Sequence, residues 1–318
     1  LRDIKDYGLD NAISMQGGIE YLRNVNIGSS GNFSVEVVVS ERIPFLNPTL
    51  VFWLQLIKPI TYEIIYKFSM KFGKEGQEFE ILEDKLMLKC EFFNGEKGEK
   101  LGKGEIVLSN INGKTKIDLN LPEEVPIKEE DIFLPSLREE ELKSEMLFLE
   151  IPYFSFFFHL WEFSNIAIYD FDSKLPKKSV PITGKAELEE DGSNLAIVLK
   201  NIIRDEDKKR KFSNLVKYLL PFVEDLDVGR FADRSLFLKL QEIYTEKQYM
   251  PAFLISDGTI NIIALIIALY FEKKTLNIIE EPERNIHPYL ISKVVDMMKD
   301  ASQYKQIIVT THNPEVVK

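Results

Sequence analysis

The sequence predicts an α/β protein with an antiparallel β lobe, a helical region and a lobe built on a parallel βαβ unit. Three observations predict it. Residues 33 to about 120 alternate apolar and polar side chains with the period of a strand. Residues 193 to about 222 carry helical spacing. From Ser256 onward an apolar helix, an apolar strand, a second helix and a second strand follow in the order of a βαβ crossover.

Taken in order, the opening stretch LRDIKDYGLDNAIS reads as the tail of a helix. The segments FSVEVVVS, ITYEIIYKFSMKF, FEILEDKLMLKCEFF and EIVLSNINGKTKIDLNL then form an antiparallel meander, with turns at Asn94-Gly95 and Asn112-Gly113. Between Pro122 and Glu145 the composition turns acidic and Pro-containing, and then helical through REEELKSEM, which marks a boundary. The aromatic run IPYFSFFFHLWEF (151–163) reads as buried core. SNLAIVLKNI and FSNLVKYLLPF are helices, and LFLKLQEIY is a further strand. An apolar helix over 260–272, the buried strand LNIIEE, a helix opened by Pro288 and the strand QIIVTTH complete the chain. The expected domains are 1–121, 122–200 and 201–318.

Bulk properties narrow the function classes. Forty Lys and Arg against 51 Asp and Glu leave a net charge of -11, which opposes broad electrostatic contact with nucleic acid. The basic cluster Lys208–Lys211 lies beside Asp205, Glu206 and Asp207 and reads as a solvated helix end. The longest apolar run, Ile260 to Phe271, falls short of the ~20 residues of a membrane helix. Cys90 is the only cysteine, so no internal disulfide forms, and the expected setting is cytoplasmic.

Four short motifs follow one another near the C-terminal end. Ser256-Asp257-Gly258-Thr259 opens the apolar helix, where free N–H groups and the helix dipole suit a phosphate. By itself this pattern is more commonly an ordinary N-cap. The strand Leu276–Ile279 next delivers two adjacent carboxylates, Glu280 and Glu281, ahead of Pro282. Successive strand residues point to opposite sides, so one can hold Mg²⁺ and the other can accept a proton from water. A solvated acidic loop is the competing reading. Arg284-Asn285-Ile286-His287-Pro288 links this tip to the next helix, with His287 open between a packing and an interface role. Finally Thr310-Thr311-His312-Asn313-Pro314 places a histidine at the end of the next strand.

In this order the motifs resemble the signature loop, Walker B strand, D-loop and switch histidine of ABC-type ATPases. The pattern SDGT…IEEPE…HP…TTH-P is similar to the SMC/RecF-like and OLD-like predicted ATPases of the AAA family. GLDNAISMQGGIEYLRN (8–24) and DGSNLAIVLKNI (191–202) also resemble segments of that group. The resemblance implies an ABC/SMC-like ATPase head that hydrolyses ATP with Mg²⁺. It places Glu280 at the metal through water and Glu281 as the general base. His312 would contact the γ-phosphate, Asn285 would border the nucleotide, and Ser256, Asp257, Gly258 and Thr259 would close over the nucleotide of a partner subunit. The family normally has Asp at position 280, and the longer Glu makes direct metal contact conceivable. A homodimer with nucleotide sandwiched between the heads is the implied partner, with DNA or a nuclease as further partners. DNA repair, DNA maintenance or anti-phage defence is the implied setting.

The family also uses a P-loop, G-x-x-x-x-G-K-[ST], and these 318 residues hold none. Gly113-Lys114-Thr115 fails because Leu108 stands where the first Gly belongs and a strand follows. The expectation is that the native polypeptide extends N-terminally and that Leu1 lies inside the helix after the P-loop. Two further readings stay open: a non-catalytic interaction module, and the ATPase half of a nuclease-linked DNA sensor. A metalloenzyme built on His287, His312 and the Glu280–Glu283 cluster lacks the spacing of a zinc helix.

Overall fold

The computed structural model describes residues 2–15, 17–18, 32–40, 42–44, 56–73, 79–111, 114–132, 146–157, 165–231, 234–246 and 248–317. The chain divides into two compact units, Leu1–Ser164 and Asn165–Lys318. Among the described residues, no helix is long and apolar enough to cross a membrane.

The first unit is an antiparallel sheet built from the alternating stretches. Its strands are β1 (Phe33–Val39), β2 (Ile43–Pro44), β3 (Ile57–Phe72), β4 (Phe79–Asn94), β5 (Lys100–Ile111) and β6 (Lys114–Asn120). They lie in the order β1-β3-β4-β5-β6, with β2 also on β3. The register puts Ile64 opposite Leu88 and Tyr66 opposite Leu86, and Leu86 in turn faces Leu108. All five side chains are 1% exposed or less, because alternation commits one face of every strand to the core. The Asn94-Gly95 turn joins β4 to β5 as expected: the Asn94 carboxamide accepts from the Glu96 and Lys97 amides. Asn112-Gly113 and the REEELKSEM helix lie outside the described residues, as do 158–163 of the aromatic run. Phe154 of that run is buried, its ring tilted against Phe148 with centroids 4.6 Å apart. Two short helices, α1 (Arg2–Tyr7) and α2 (Leu9–Met15), open the unit. The Glu150 carboxylate ties α2 in, accepting from the Leu9 amide at 3.0 Å and the Leu147 amide at 2.8 Å.

The second unit holds a small antiparallel sheet and a parallel one. In the first, β10 (Ser235–Glu242) pairs with β8 (Val180–Pro181), β9 (Val223–Phe231) and β11 (Tyr249–Pro251). The second has the order β13-β12-β7, with β12 (Leu276–Glu280) central between β7 (Ile166–Tyr169) and β13 (Gln306–Thr310). β7 falls in the stretch read from sequence as a helical region; four residues are too few to show a period. The predicted helices are present: α3 (Leu195–Ile203), α4 (Glu206–Leu219), α5 (Asp257–Tyr270) and α6 (Pro288–Ala301). Every residue of α5 from Thr259 to Leu269 is buried, so this helix is apolar all round and forms the middle of the core. α6 is amphipathic and buries only Ile291, Val294, Met297, Met298 and Ala301. The βαβ unit β12–α6–β13 directs the C-terminal ends of its strands to one side, where all four sequence motifs gather.

Candidate functional site

The site is built on the tip of β12. Asn277 and Ile279 are fully buried, and the Asn277 side chain donates to the Ala268 carbonyl of α5 at 3.0 Å, which fixes the strand against the core helix. The ladder runs one residue past the strand, since the Glu281 amide donates to the Thr310 carbonyl at 2.9 Å. The chain then turns sharply. Glu281 has φ 41° and Asn285 φ 62°, the two non-glycine residues in left-handed backbone among the described residues. Such conformations persist only where surrounding contacts hold them, and they gather at functional sites. Here the Arg284 amide closes on the Glu281 carbonyl at 2.8 Å and the Ile286 amide on the Glu283 carbonyl at 3.0 Å. Pro288 then opens α6, with the His287 ring nitrogen Nδ1 accepting from the Tyr289 amide at 3.3 Å. In this chain His287 is therefore an exposed helix cap.

The two carboxylates separate as strand geometry requires. Glu280 is exposed, and its side chain makes no hydrogen bond or ion pair among the described residues. Glu281 is two-thirds enclosed. Its Oε2 accepts from Arg284 Nε at 2.9 Å, and its Oε1 lies 3.6 Å from His312 Nε2. His312 is 93% exposed, so its ring is open to solvent. Thr311 beside it is tied back: its hydroxyl donates to Glu283 Oε1 and accepts from the Asn313 amide at 3.0 Å. The other oxygen of Glu283 is buried and has no hydrogen-bond partner among the described residues.

The SDGT loop meets the same turn from the other side. Ser256 caps α5, its Oγ accepting from the Thr259 amide at 3.2 Å and meeting the Thr259 hydroxyl at 2.8 Å. Thr259 is buried, so it shapes the loop from within. Gly258 sits so close to the turn that a Cβ there would lie 2.4 Å from the Asn285 carbonyl. Only glycine fits that approach. Three residues on, Asn261 donates to the Arg284 carbonyl at 2.6 Å. The loop and the turn are thus one packed body.

Sequence reasoning missed the third contributor, the segment after β7. Asp170 accepts from Arg284 Nη1 at 2.7 Å, Ser173 meets the Asn285 carboxamide at 3.4 Å, and Lys177 pairs with Asp257. The Glu281 and Asp170 carboxylates beside Arg284 push its pKa above the ordinary guanidinium value. A run such as YDFDSKLPKK carries no period, and its acidic and basic residues show a role only once β7 is laid beside β12.

Residues 110–318, more than half of the chain, match a protein family described as "AAA domain, putative AbiEii toxin, Type IV TA system". The chain belongs to this AAA-domain family. Among solved structures, similar chains include an SMC head bound to the C-terminal winged-helix domain of ScpA, with 15% identity and a TM-score of 0.34 over 73% of this chain and 68% of that one. The SMC head domain from Thermotoga maritima matches with 12% identity and a TM-score of 0.32 over 73% and 66%. No curated protein is significantly similar.

In this AAA-domain chain the structure brings together Glu280, Glu281, Asn285 and His312 on the β12–β13 side and Ser256 to Thr259 on the α5 side. The metal that the family implies can be tested against the donors. Among the described residues no group of three or more His, Cys, Asp or Glu could hold an ion alone. Mg²⁺ ordinarily keeps several waters and takes one or two carboxylates with substrate phosphates, so the single free carboxylate of Glu280 fits it.

Proposed function

We propose that this chain is an ATP-binding and hydrolysing head that dimerises around nucleotide. One observation carries the reading: two adjacent carboxylates leave the tip of a central parallel strand, one free in solvent and one held beside an exposed histidine. In this reading Glu280 holds Mg²⁺, which supplies charge neutralisation for the phosphates when bound. The water oxygen attacks the γ-phosphorus, the bond to the bridging oxygen of ADP breaks, and Glu281 takes the proton from the water. His312 donates to a γ-phosphate oxygen. The phosphate-cradling P-loop is not among these residues, so turnover belongs to the polypeptide that carries this chain together with such a loop.

The α5 side supports dimerisation. Ser256 is exposed at the start of a helix buried from Thr259 to Leu269, and Phe253 and Leu254 just before it are 68% and 61% exposed. A second head covering them would bring Ser256, Asp257 and Gly258 onto its own nucleotide, with Thr259 holding the loop in shape. Asn285 would border the nucleotide from the turn. The family description names a toxin of a toxin–antitoxin system. It supports defence over repair as the setting, with DNA or a nuclease as the further partner.

Mg²⁺-ATP turnover by the P-loop-containing protein, side by side with Glu281→Gln, tests the reading. Loss of a general base lowers kcat by about 10²–10⁴-fold, while ATP-dependent dimers persist in sedimentation. Normal hydrolysis by Glu281→Gln would remove Glu281 from the role, and an ATP-independent mass would remove the sandwich.

A further inference from the structure

We infer that Arg284, anchored by Asp170, is a positioning residue for Glu281, holding Oε2 so that Oε1 alone is left to take the proton from water. The inference rests on the proposed role of Glu281 and adds to it two residues and an assignment of the accepting oxygen.

Three independent features converge on it. The first is the fork. Arg284 Nε reaches Glu281 Oε2 at 2.9 Å while Nη1 of the same guanidinium reaches Asp170 Oδ1 at 2.7 Å and lies 3.5 Å from the Phe171 carbonyl. A planar guanidinium engaged at two edges fixes direction as well as distance. The second is the backbone. Glu281 sits at φ 41°, where a side chain is not held by secondary structure and must be oriented by something else.

The third is the foundation beneath Asp170. Its amide donates to the Glu190 carbonyl at 3.0 Å, and the Asp172 amide donates to the Asp191 carbonyl at 3.1 Å. The 185–194 segment that receives them is itself knotted by Asn194, which is 6% exposed. Its carboxamide accepts from the Glu189 amide at 2.8 Å and donates to the Lys185 and Glu187 carbonyls at 3.0 and 2.8 Å. Gly192 turns the segment at φ 75° against Phe171. The DGSN stretch singled out in the sequence is therefore a buttress: it secures Asp170, Asp170 secures Arg284, and Arg284 secures the carboxylate.

Stability does not account for the arrangement. The side chains of Arg284, Asp170 and Glu281 are 37%, 54% and 33% exposed, and ion pairs that open to solvent contribute little to folding. What the fork decides is which oxygen is free. With Oε2 occupied, Oε1 faces His312 Nε2 at 3.6 Å. That is the side on which the γ-phosphate and its attacking water would lie.

Steady-state ATP turnover of the P-loop-containing protein distinguishes this from a packing role. Arg284→Gln is expected to lower kcat by roughly tenfold to a hundredfold, as a misplaced base does, with KM for ATP and the thermal midpoint unchanged. Arg284→Lys should not rescue it, because an ammonium cannot occupy both edges. Asp170→Asn should lower kcat as well, and the double variant should be no slower than Arg284→Gln alone, since the two act through one contact. Wild-type or faster turnover by Arg284→Gln, full rescue by Lys, or additive losses in the double variant would each overturn the inference. Glu281→Gln serves as the control: if it too turns over normally, the role of Glu281 has failed, and if it alone is dead, only the role of Arg284 and Asp170 has.

Discussion

The two units place their polar side chains in opposite ways. In residues 1–164 the polar groups that matter are enclosed. Asp84 on β4 is 1% exposed and accepts from the Phe148 amide at 2.7 Å, and Thr61 meets Cys90 across β3 and β4 at 3.5 Å. In residues 165–318 Asp170, Glu280 and Glu281 gather at strand ends, open to solvent to different degrees, with Glu281 in left-handed backbone. The difference follows from strand direction. Antiparallel strands run into hairpins, so their ends alternate between the two edges of the sheet. Parallel strands all finish on one side, so β7, β12 and β13 bring Asp170, Glu280, Glu281 and His312 together without any one of them being adjacent in sequence to all the rest. One unit encloses its polar groups; the other leaves them at the strand ends.

The sharpest way to break that comparison is a pair of truncations. Leu88→Ala, at a fully buried position of β4, should cost about 2–5 kcal/mol in denaturant unfolding. Glu280→Ala, at an exposed tip, should stay within about 0.5 kcal/mol while removing Mg²⁺-dependent turnover. Equal costs would mean that the tip is structural after all.

Next in size is the pH response of the first unit. Burial is the main cause that raises the Asp84 carboxyl from 3.8 to about 7; Glu150 nearby pushes the same way, while the Phe148 amide and the Tyr66 hydroxyl oppose it. The folded state therefore holds a proton that the unfolded chain releases. The contribution is fully present below pH 3.8 and is lost as pH rises through about 7. Asp84→Asn should flatten that slope, so the stability difference between wild type and variant changes by up to about 4 kcal/mol across the window. Thermal melts of both proteins at pH 5 and pH 8 check it. A difference that does not vary with pH would place Asp84 outside the core.

The smallest expected effect concerns the join between the SDGT loop and the turn. Gly258→Ala must push a Cβ into the Asn285 carbonyl, a backbone atom that cannot swing aside. A cost of about 1–3 kcal/mol is expected from such overpacking, along with reduced turnover. An Ala variant as stable and as active as the parent would show that loop and turn move independently.

Much of this protein is legible in its residues. Alternation in β3 to β6 dictated which side chains face inward, and the unbroken apolar run after Ser256 marked α5 as central. The order SDGT, EEPE, HP and TTH located one face of the second unit, because each motif reports local chemistry: a cap, a strand tip, a helix start, a second strand tip. Other features depended on chain segments meeting. β7 is too short to show a period, and Asp170 lies 114 residues before the Arg284 it binds. The partner of a charged side chain is chosen by the fold, not by its neighbours along the chain. Sequence alone thus determined which residues could do chemistry and on which strands they stand. Tertiary structure alone decided that Glu281 is held by one oxygen, that His287 caps a helix, and that a loop from β7 completes the site. Periodicity records burial along one chain segment, whereas a hydrogen bond between two segments exists only after both have been packed.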